Sequence, residues 1–227
     1  MSAKEASSFR LVATLAVTGL LSGLVLVGIF LVTQPVILRN QAEAMQRAIF
    51  RVLPGTTAIE TYVLSGEELQ PFESADGSLP AADAVFAGRS DDGSLVGYAI
   101  LADGAGFMDT IKLIYGFDPR RRAIVGMQVL DSRETPGLGD KIIFDEEFHQ
   151  NFVELKVEPE IVGVKVAEQP RPSNEVDTIT GATISSDAVI SILNDSTQRW
   201  LPILDRREQG EGQAANEGAG DDTPEGS

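Results

Sequence analysis

Residues 110–130, TIKLIYGFDPRRRAIVGMQVL, contain two apolar runs on either side of a polar turn. The runs Thr110–Tyr115 and Ala123–Leu130 are rich in β-branched residues, which favour β-strands. Between them, Asp118-Pro119 and the three arginines that follow are typical of a turn. Two adjacent strands joined by a short turn are typical of an antiparallel pair.

Other segments extend this pair into a larger sheet with helices. Further strands are predicted at Thr56–Leu64, Ala84–Ala87, Leu95–Leu101 and Val157–Val166, with a hairpin turn at Asp92-Gly93 and a polar loop over Ser65–Ala82. Helices are predicted at Gln41–Leu53, Ile143–Leu155 and Ser185–Leu201. In the second of these, Phe144, Phe148 and Phe152 recur every four residues. The third has Ser185 or Ser186 as its N-cap and Pro202 near its end. The sequence thus predicts an α+β fold.

The composition excludes several classes of protein. The 227 residues carry 18 Lys and Arg against 34 Asp and Glu, and the net charge of −16 argues against a nucleic-acid-binding surface. The absence of Cys excludes disulfides, thiolate metal sites and Cys nucleophiles. The single histidine, His149, makes a His-rich metal site or a Ser-His-Asp triad improbable, and we expect it to be a surface or capping residue.

The N-terminal part of the chain has the composition of a membrane anchor. No charged residue occurs between Leu11 and Leu38, and about 20 apolar residues suffice to cross a bilayer. A cleaved signal peptide is the alternative, but the apolar segment is longer than such peptides have and no small-residue cleavage site follows it. Basic residues flank both ends of the segment, so the charges do not fix its orientation.

The C-terminal part has the composition of an unfolded tail. Residues 208–227 contain six acidic and no basic side chains, together with many Gly and Ala. Such a segment cannot bury enough apolar surface to fold by itself, and we expect it to be disordered. The first ten residues carry two basic groups and one acidic group, so the charge of the remaining chain is −17.

Two motifs could carry chemistry. The first, Glu134-Thr-Pro-Gly-Leu-Gly139 followed by Asp-Lys141, follows a predicted strand, and its glycines could let a ligand approach the backbone; an ordinary turn is the alternative. The second, Asp177-Thr-Ile-Thr-Gly-Ala-Thr183, runs into the last predicted helix. Its hydroxyls and the helix N-terminus suit a phosphate, although a Ser/Thr-rich N-cap would look the same.

Taken together, the two motifs resemble those of the FMN-binding domain family. Thr180-Gly181-Ala182-Thr183, preceded by Asp177, is similar to the family's flavin-attachment sequence, and Glu134–Gly139 is similar to its second hallmark, about 40 residues upstream. The resemblance covers roughly residues 34–200. It implies one transmembrane helix (11–38) after a short flank (1–10), a helical stalk (39–55), an FMN-binding domain (56–206) with a mainly antiparallel sheet flanked by helices, and the tail (207–227).

The resemblance also implies roles for individual residues. FMN would be bound covalently to Thr183 through a phosphoester, which would make the chain a phosphoprotein, and Asp177 would matter to recognition by a dedicated flavin transferase. The ring would be lined by Glu134, Thr135, Gly137, Leu138 and Gly139, the phosphate and ribityl end by Thr180, Gly181 and Ala182, and Lys141 could contact either. No catalytic residue and no metal site is expected.

Length and the single anchor resemble the RnfG proteins of Rnf-type ion-translocating ferredoxin:NAD oxidoreductases. This resemblance implies a single-pass protein of the inner membrane, with its flavin domain on the periplasmic side, that relays electrons among membrane and Fe–S subunits without independent enzymatic turnover. The NqrC proteins of the sodium-translocating NADH:quinone reductases, Nqr, are the alternative within the family. Outside the family, a noncatalytic membrane-anchored scaffold or an anchored solute-binding domain would leave the two motifs unexplained.

Overall fold

The chain forms two compact units, one within Met1–Met45 and one that begins at Gln46. The structure, a computed structural model, describes residues 8–73, 80, 83–165 and 172–218. Most of the first unit is the N-terminal part of helix α1, Ser8–Val52. The second unit contains the end of that helix, two sheets and three further helices.

Helix α1 is long and apolar enough to cross a membrane. Its most apolar window has a mean hydropathy of 2.6 and none of it is buried against the rest of the protein. The residues predicted as a helical stalk are helical, and they continue α1, which runs without a break from the predicted anchor and contains Pro35. Proline is tolerated in membrane helices, where neighbouring groups can satisfy the freed backbone. As expected, the helix ends just before Pro54-Gly55, where Gly55 has a φ of 93°.

The main sheet has seven antiparallel strands. Their order across the sheet is β2-β1-β3-β4-β5-β6-β7, and nearly all neighbours in the sheet are also neighbours in sequence. The strands are β1 (Ala58–Ser65), β2 (Glu68–Pro71), β3 (Ala84–Arg89), β4 (Leu95–Ala105), β5 (Thr110–Asp118), β6 (Ala123–Asp131) and β7 (Leu155–Lys156). The predicted α+β class and mainly antiparallel sheet are confirmed.

Two strand predictions need correction. The polar segment that was expected to be a loop contains β2, which pairs with β1 through a tight turn at Gly66, where φ is 67°. The expected strand Val157–Val166 is instead the three-residue strand β8 (Val162–Val164), which lies outside the main sheet and pairs in parallel with β9 (Glu175–Asp177). Val162 is exposed, and Val166 lies outside the described residues. The alternating pattern therefore did not mark a buried sheet face.

The predicted helix over Ile143–Leu155 is wrong as a single element. Two short helices occur there, α2 (Lys141–Phe144) and α3 (Glu146–Gln150), separated at Asp145, whose side chain accepts a hydrogen bond from Phe148 N and caps α3. The break turns Phe144 outward, with 70% of its surface exposed, while Phe148 and Phe152 are buried in the core. His149 is half-buried and its Nε2 lies 2.8 Å from the Ile142 carbonyl oxygen.

Helix α4, Thr183–Gly218, is longer than predicted at both ends. It starts at Thr183, so neither predicted N-cap serine is the cap. Pro202 does not end the helix: Leu204 beyond it is buried, and Asp205 forms an ion pair of 2.8 Å with Arg122. The helix also continues through residues 208–218, where an unfolded tail was expected, because extending an existing helix avoids the cost of nucleation.

The two faces of the main sheet are covered differently. On one face, large side chains such as Tyr98 and Phe117 form a buried cluster with Val189 and Leu193 of α4. The Tyr115 hydroxyl hydrogen-bonds the Ser196 hydroxyl at 2.9 Å across the same interface. This packing fixes the start of α4 relative to the sheet.

On the opposite face, glycines allow the end of α1 to contact the strands. Gly88, Gly97, Gly116 and Gly126 lie on four consecutive strands, β3 to β6, and we call them the glycine track. A Cβ on Gly97 would lie 3.0 Å from the Leu53 side chain, and one on Gly116 would overlap the Val52 carbonyl oxygen. Residues on the glycine track therefore cannot be larger without displacing the buried helix end.

We expect Gly116→Ala to lower the free energy of unfolding by about 3 kcal/mol, because the new methyl group meets backbone rather than a flexible side chain. The measurement is urea unfolding of the detergent-solubilised full chain, followed by the fluorescence of Trp200, the only tryptophan. Gly210→Ala is the matched control: nothing lies within 4 Å of its Cβ position. It should be neutral or stabilise helix α4 by about 0.5–1 kcal/mol. Equal stability of the Gly116→Ala variant and the parent would contradict the packing described.

Candidate functional site

The two motifs from the sequence analysis meet at one open cavity of about 290 Å³. The first motif contributes Glu134, Thr135, Leu138 and Gly139 to its wall. The second motif contributes Gly181, Ala182 and Thr183. These residues are some 45 positions apart in sequence, and the loop after β6 and the start of α4 bring them together.

The first motif folds as a tight turn. Leu138 N and Asp140 N both donate to the Thr135 carbonyl oxygen, at 3.1 and 3.3 Å. Pro136 and Gly137 occupy the two central positions, and Gly137 has a φ of 76°, as a type II turn requires. Gly137 is at the tip of the turn and not among the cavity-lining residues. The amides of Leu138 and Asp140 are thus engaged within the turn.

Three of the expected binding residues lie in a second cavity. Lys141, Asp177 and Thr180 line a neighbouring open cavity of about 420 Å³. The Lys141 ammonium donates to the Thr180 carbonyl oxygen at 3.5 Å, and Asp177 N donates to Asn151 Oδ1 at 3.1 Å. The chain turns at Gly181, where φ is 83°. This turn puts the residues before it on the second cavity and those after it on the first.

Thr183 is the first residue of α4 and is half-buried at the wall of the first cavity. The backbone amides in the first turn of a helix have no partner within the helix and favour a negatively charged ligand. The local conformation depends on Ser186, whose hydroxyl accepts from Ile179 N at 3.1 Å and donates to the Ala182 carbonyl oxygen at 3.0 Å. The second predicted capping serine thus stabilises the turn before the helix.

Glu134 is the most buried charged group at the site, with 5% of its surface exposed. One carboxylate oxygen, Oε1, accepts from Met108 N at 3.0 Å. The other, Oε2, accepts from the Ser185 hydroxyl at 2.5 Å, a length typical of charge-assisted hydrogen bonds. The carboxylate therefore links the turn after β4 to the first turn of α4.

The hydrogen bonds keep Glu134 ionised. Burial raises the pKa of this carboxyl, but hydrogen bonds from the Ser185 hydroxyl and from the amides of Met108, Phe107 and Asp109 together outweigh it, so that the pKa lies below its ordinary value. Two glycines make room for the carboxylate: a Cβ on Gly106 would lie 2.5 Å from Glu134 Oε1, and one on Gly139 would lie 2.7 Å from Oε2.

Sequence reasoning did not assign three residues of the cavity wall, Phe107, Ile184 and Ser185. Phe107 and Ile184 are large apolar side chains with 60% and 59% of their surfaces exposed. Ile184 could have been noticed, because it lies off the apolar face formed by Val189, Ile192 and Leu193 in the predicted helix. Phe107 lies in a Gly-rich segment, where the sequence offers no periodicity from which its exposure could be predicted.

Comparison with known proteins agrees with this arrangement. Residues 106–198, which include both motifs and the cavity wall, match the family model of the FMN-binding domain. This stretch of the chain is therefore similar to an FMN-binding domain.

Relatives and solved structures extend the comparison beyond residues 106–198. The chain is 29% identical over 187 residues to the G subunit of an ion-translocating oxidoreductase complex from Methanosarcina acetivorans, covering 82% of this chain and 91% of the relative. It is 34% identical over 115 residues to the G subunit of a Na⁺-translocating ferredoxin:NAD⁺ oxidoreductase complex from Acetobacterium woodii, covering 50% and 53%. The fold is similar to the C subunit of the Na⁺-translocating NADH-quinone reductase from Parabacteroides distasonis, with a TM-score of 0.56 and 20% identity over 73% of this chain and 93% of that one.

We expect the stability contributed by the Glu134 charge to depend on pH. The carboxyl has a lower pKa in the folded chain than its ordinary 4.5. Its contribution is therefore fully present above that value and is lost as the pH falls through the folded-state pKa. Glu134→Gln lacks this titration, so the difference in unfolding free energy between the parent and this variant should shrink below about pH 4.5. Urea unfolding between pH 7 and 3 measures it, and a difference that stays constant or grows in acid would contradict the assignment.

Proposed function

We propose that the protein is a membrane-anchored flavoprotein that carries FMN covalently on Thr183 and relays electrons as one subunit within an Rnf-type complex. The observation that carries this proposal is the position of Thr183 at the wall of an open cavity, at the N-terminus of a long helix, within the segment that matches the FMN-binding domain. A phosphoester on that oxygen would have its negative charge next to the first amides of α4.

The residues of the cavity suit a flavin. Phe107, Leu138 and Ile184 offer exposed apolar side chains, which a ring system can cover. Nothing in the described residues lies within 4 Å of a Cβ on Gly181, so the backbone next to Thr183 leaves open space. FMN when bound supplies the electron-transfer chemistry, and the protein supplies attachment, orientation and electrostatics. A covalent bond would retain a cofactor that so shallow a cavity buries only partly.

The relatives favour an Rnf-type assembly. Relatives that match over about nine-tenths of their own length, from Methanosarcina acetivorans and Clostridium ljungdahlii, are named as G subunits of ion- or proton-translocating complexes. The NqrC structures support the fold, at 17% and 20% identity, and the corresponding place in an Nqr complex is the second candidate. In either assembly, we infer, the chain passes electrons between neighbouring membrane and Fe–S subunits and turns over no substrate alone.

Topology and maturation follow from the same proposal. We infer that helix α1, the candidate membrane span among the described residues, crosses the membrane, and that the flavin domain lies on the periplasmic side of the inner membrane. A dedicated flavin transferase would attach the FMN. Asp177 and Thr180 lie on the second cavity, on the other side of the Gly181 turn from Thr183. There they are accessible to a transferase and outside the cavity that would hold the ring, which supports a role in recognition for Asp177.

Thr183→Val should abolish flavin attachment, because valine keeps the shape of the side chain but lacks the oxygen that forms the phosphoester. The protein is produced together with a flavin transferase and run on a denaturing gel, and we expect the parent band to fluoresce under ultraviolet light and the variant band to be dark. Thr57→Val, at an exposed position before β1, is the matched control and should stay fluorescent.

Two results would contradict this assignment. A dark parent band under the same conditions would reject covalent flavin altogether. A fluorescent Thr183→Val band would move the attachment point to Thr180 or Ser185. Trp200 fluorescence of each variant verifies that the domain is folded before the gel is interpreted.

Purification of the intact assembly distinguishes the two candidate complexes. We expect the affinity-tagged chain to co-purify from membranes with Fe–S subunits, and the preparation to oxidise reduced ferredoxin with NAD⁺ as acceptor. Quinone reduction by NADH without ferredoxin activity would instead assign the chain to an Nqr-type complex. A chain that is recovered alone from gently solubilised membranes would contradict both.

A further inference from the structure

We propose that Glu134 is a positioning residue that holds Thr183 and the Phe107 turn against the cavity, and that its charge acts on the bound flavin. This proposal rests on the proposed function and goes beyond the expectation that Glu134 lines the ring. Its basis is the pair of hydrogen bonds that the carboxylate accepts from two separate segments, from Met108 N in the turn after β4 and from the Ser185 hydroxyl in α4.

The carboxylate is the polar contact that joins three segments. It belongs to the loop after β6, one oxygen contacts the turn after β4, and the other contacts α4 two residues beyond Thr183. Ser185 is itself 3% exposed, so water does not compete for this bond. A displacement of Ser185 would move the first turn of α4, and with it the hydroxyl of Thr183, since consecutive residues of one helical turn move together.

The residues around Glu134 leave space for its carboxylate and provide it with no charged partner in the adjacent arginine. Gly106 and Gly139 each leave space that a Cβ would take from the carboxylate. The nearest arginine in sequence, Arg133, has 77% of its side chain exposed and pairs with Asp109 at 3.5 Å. The carboxylate is thus held by neutral donors. Its negative charge is not neutralised by them and can act on a ligand bound in the cavity. Because negative charge opposes the addition of electrons, this charge should lower the reduction potential of a nearby flavin.

Two substitutions separate position from charge. Glu134→Ala removes both hydrogen bonds. Glu134→Gln removes the charge but can keep both links, because its amide oxygen can accept from Met108 N and its amide nitrogen can donate to the Ser185 hydroxyl. Ser185→Ala removes only the link to α4. Glu146→Ala, at an exposed position in α3, is the control.

Hydrogen exchange of the full chain, produced without flavin transferase, tests the positioning role of Glu134. This test does not depend on whether the proposed function is correct. We expect Glu134→Ala to exchange the amides of residues 107–109 about 10- to 100-fold faster than the parent, as expected for the loss of hydrogen bonds to a charged acceptor. Glu134→Gln and Glu146→Ala should stay within about threefold of the parent. Unchanged exchange in Glu134→Ala would overturn the positioning role.

The flavin-loaded protein tests the consequence for the site. Flavin attachment to Thr183 should be slower in Glu134→Ala and in Ser185→Ala than in the parent, at equal concentrations of transferase. Glu134→Gln should raise the midpoint potential of the attached flavin, which a purely structural role would not change. Ser185→Ala leaves Glu134 ionised, and flavin attachment at the parent rate in this variant would reject the role of the hydrogen bond to α4 in positioning Thr183. A midpoint potential that is unchanged or lower in Glu134→Gln would reject the proposed effect of the Glu134 charge on the flavin.

Discussion

The buried Glu134 carboxylate, ionised and held by neutral donors, is the interaction on which the arrangement of the site depends. The site consists of three segments that are distant in sequence, the turn after β4, the Glu134–Gly139 loop and the start of α4. Apolar packing fixes the body of α4 on the sheet, but apolar contacts are not directional and tolerate small shifts. Hydrogen bonds to a desolvated charge are both directional and costly to break. One residue therefore determines how the three segments meet.

The sheet supports this site because its two faces pack against different helices, α4 on one face and the end of α1 on the other. One face carries large side chains that pack with α4, and the other is reduced to glycine along four strands so that the end of α1 can lie directly on the backbone. The antiparallel register brings these glycines side by side: Gly88 pairs with Gly97, and Gly116 pairs with Gly126. Successive residues of a strand point to opposite faces of the sheet, so the same strands can carry large side chains on one face and glycines on the other.

Much of the fold could be predicted from sequence, and the failures have physical reasons. The central strands and the core part of α4 have strong periodicity and were predicted correctly. The division at Asp145 was missed because Phe144, Phe148 and Phe152 keep a helical spacing across a break that a capping side chain creates. For the site, the two motifs pointed to the cavity through a family resemblance. The burial of Glu134 and its link to Ser185 depend on contacts between residues 51 positions apart, which no local pattern encodes.

The close contact between α1 and the glycine track also determines where this protein can be cut. The long apolar segment and the folded domain share one continuous helix. Ala48, Ile49 and Val52 near its end, and Leu53 directly after it, are buried as part of the domain. A water-soluble fragment made for crystallisation or electrochemistry must therefore keep the helix from about Gln46 onward. A fragment that starts at the first strand would expose the glycine track, a strip of bare backbone across four strands to which other chains could adhere.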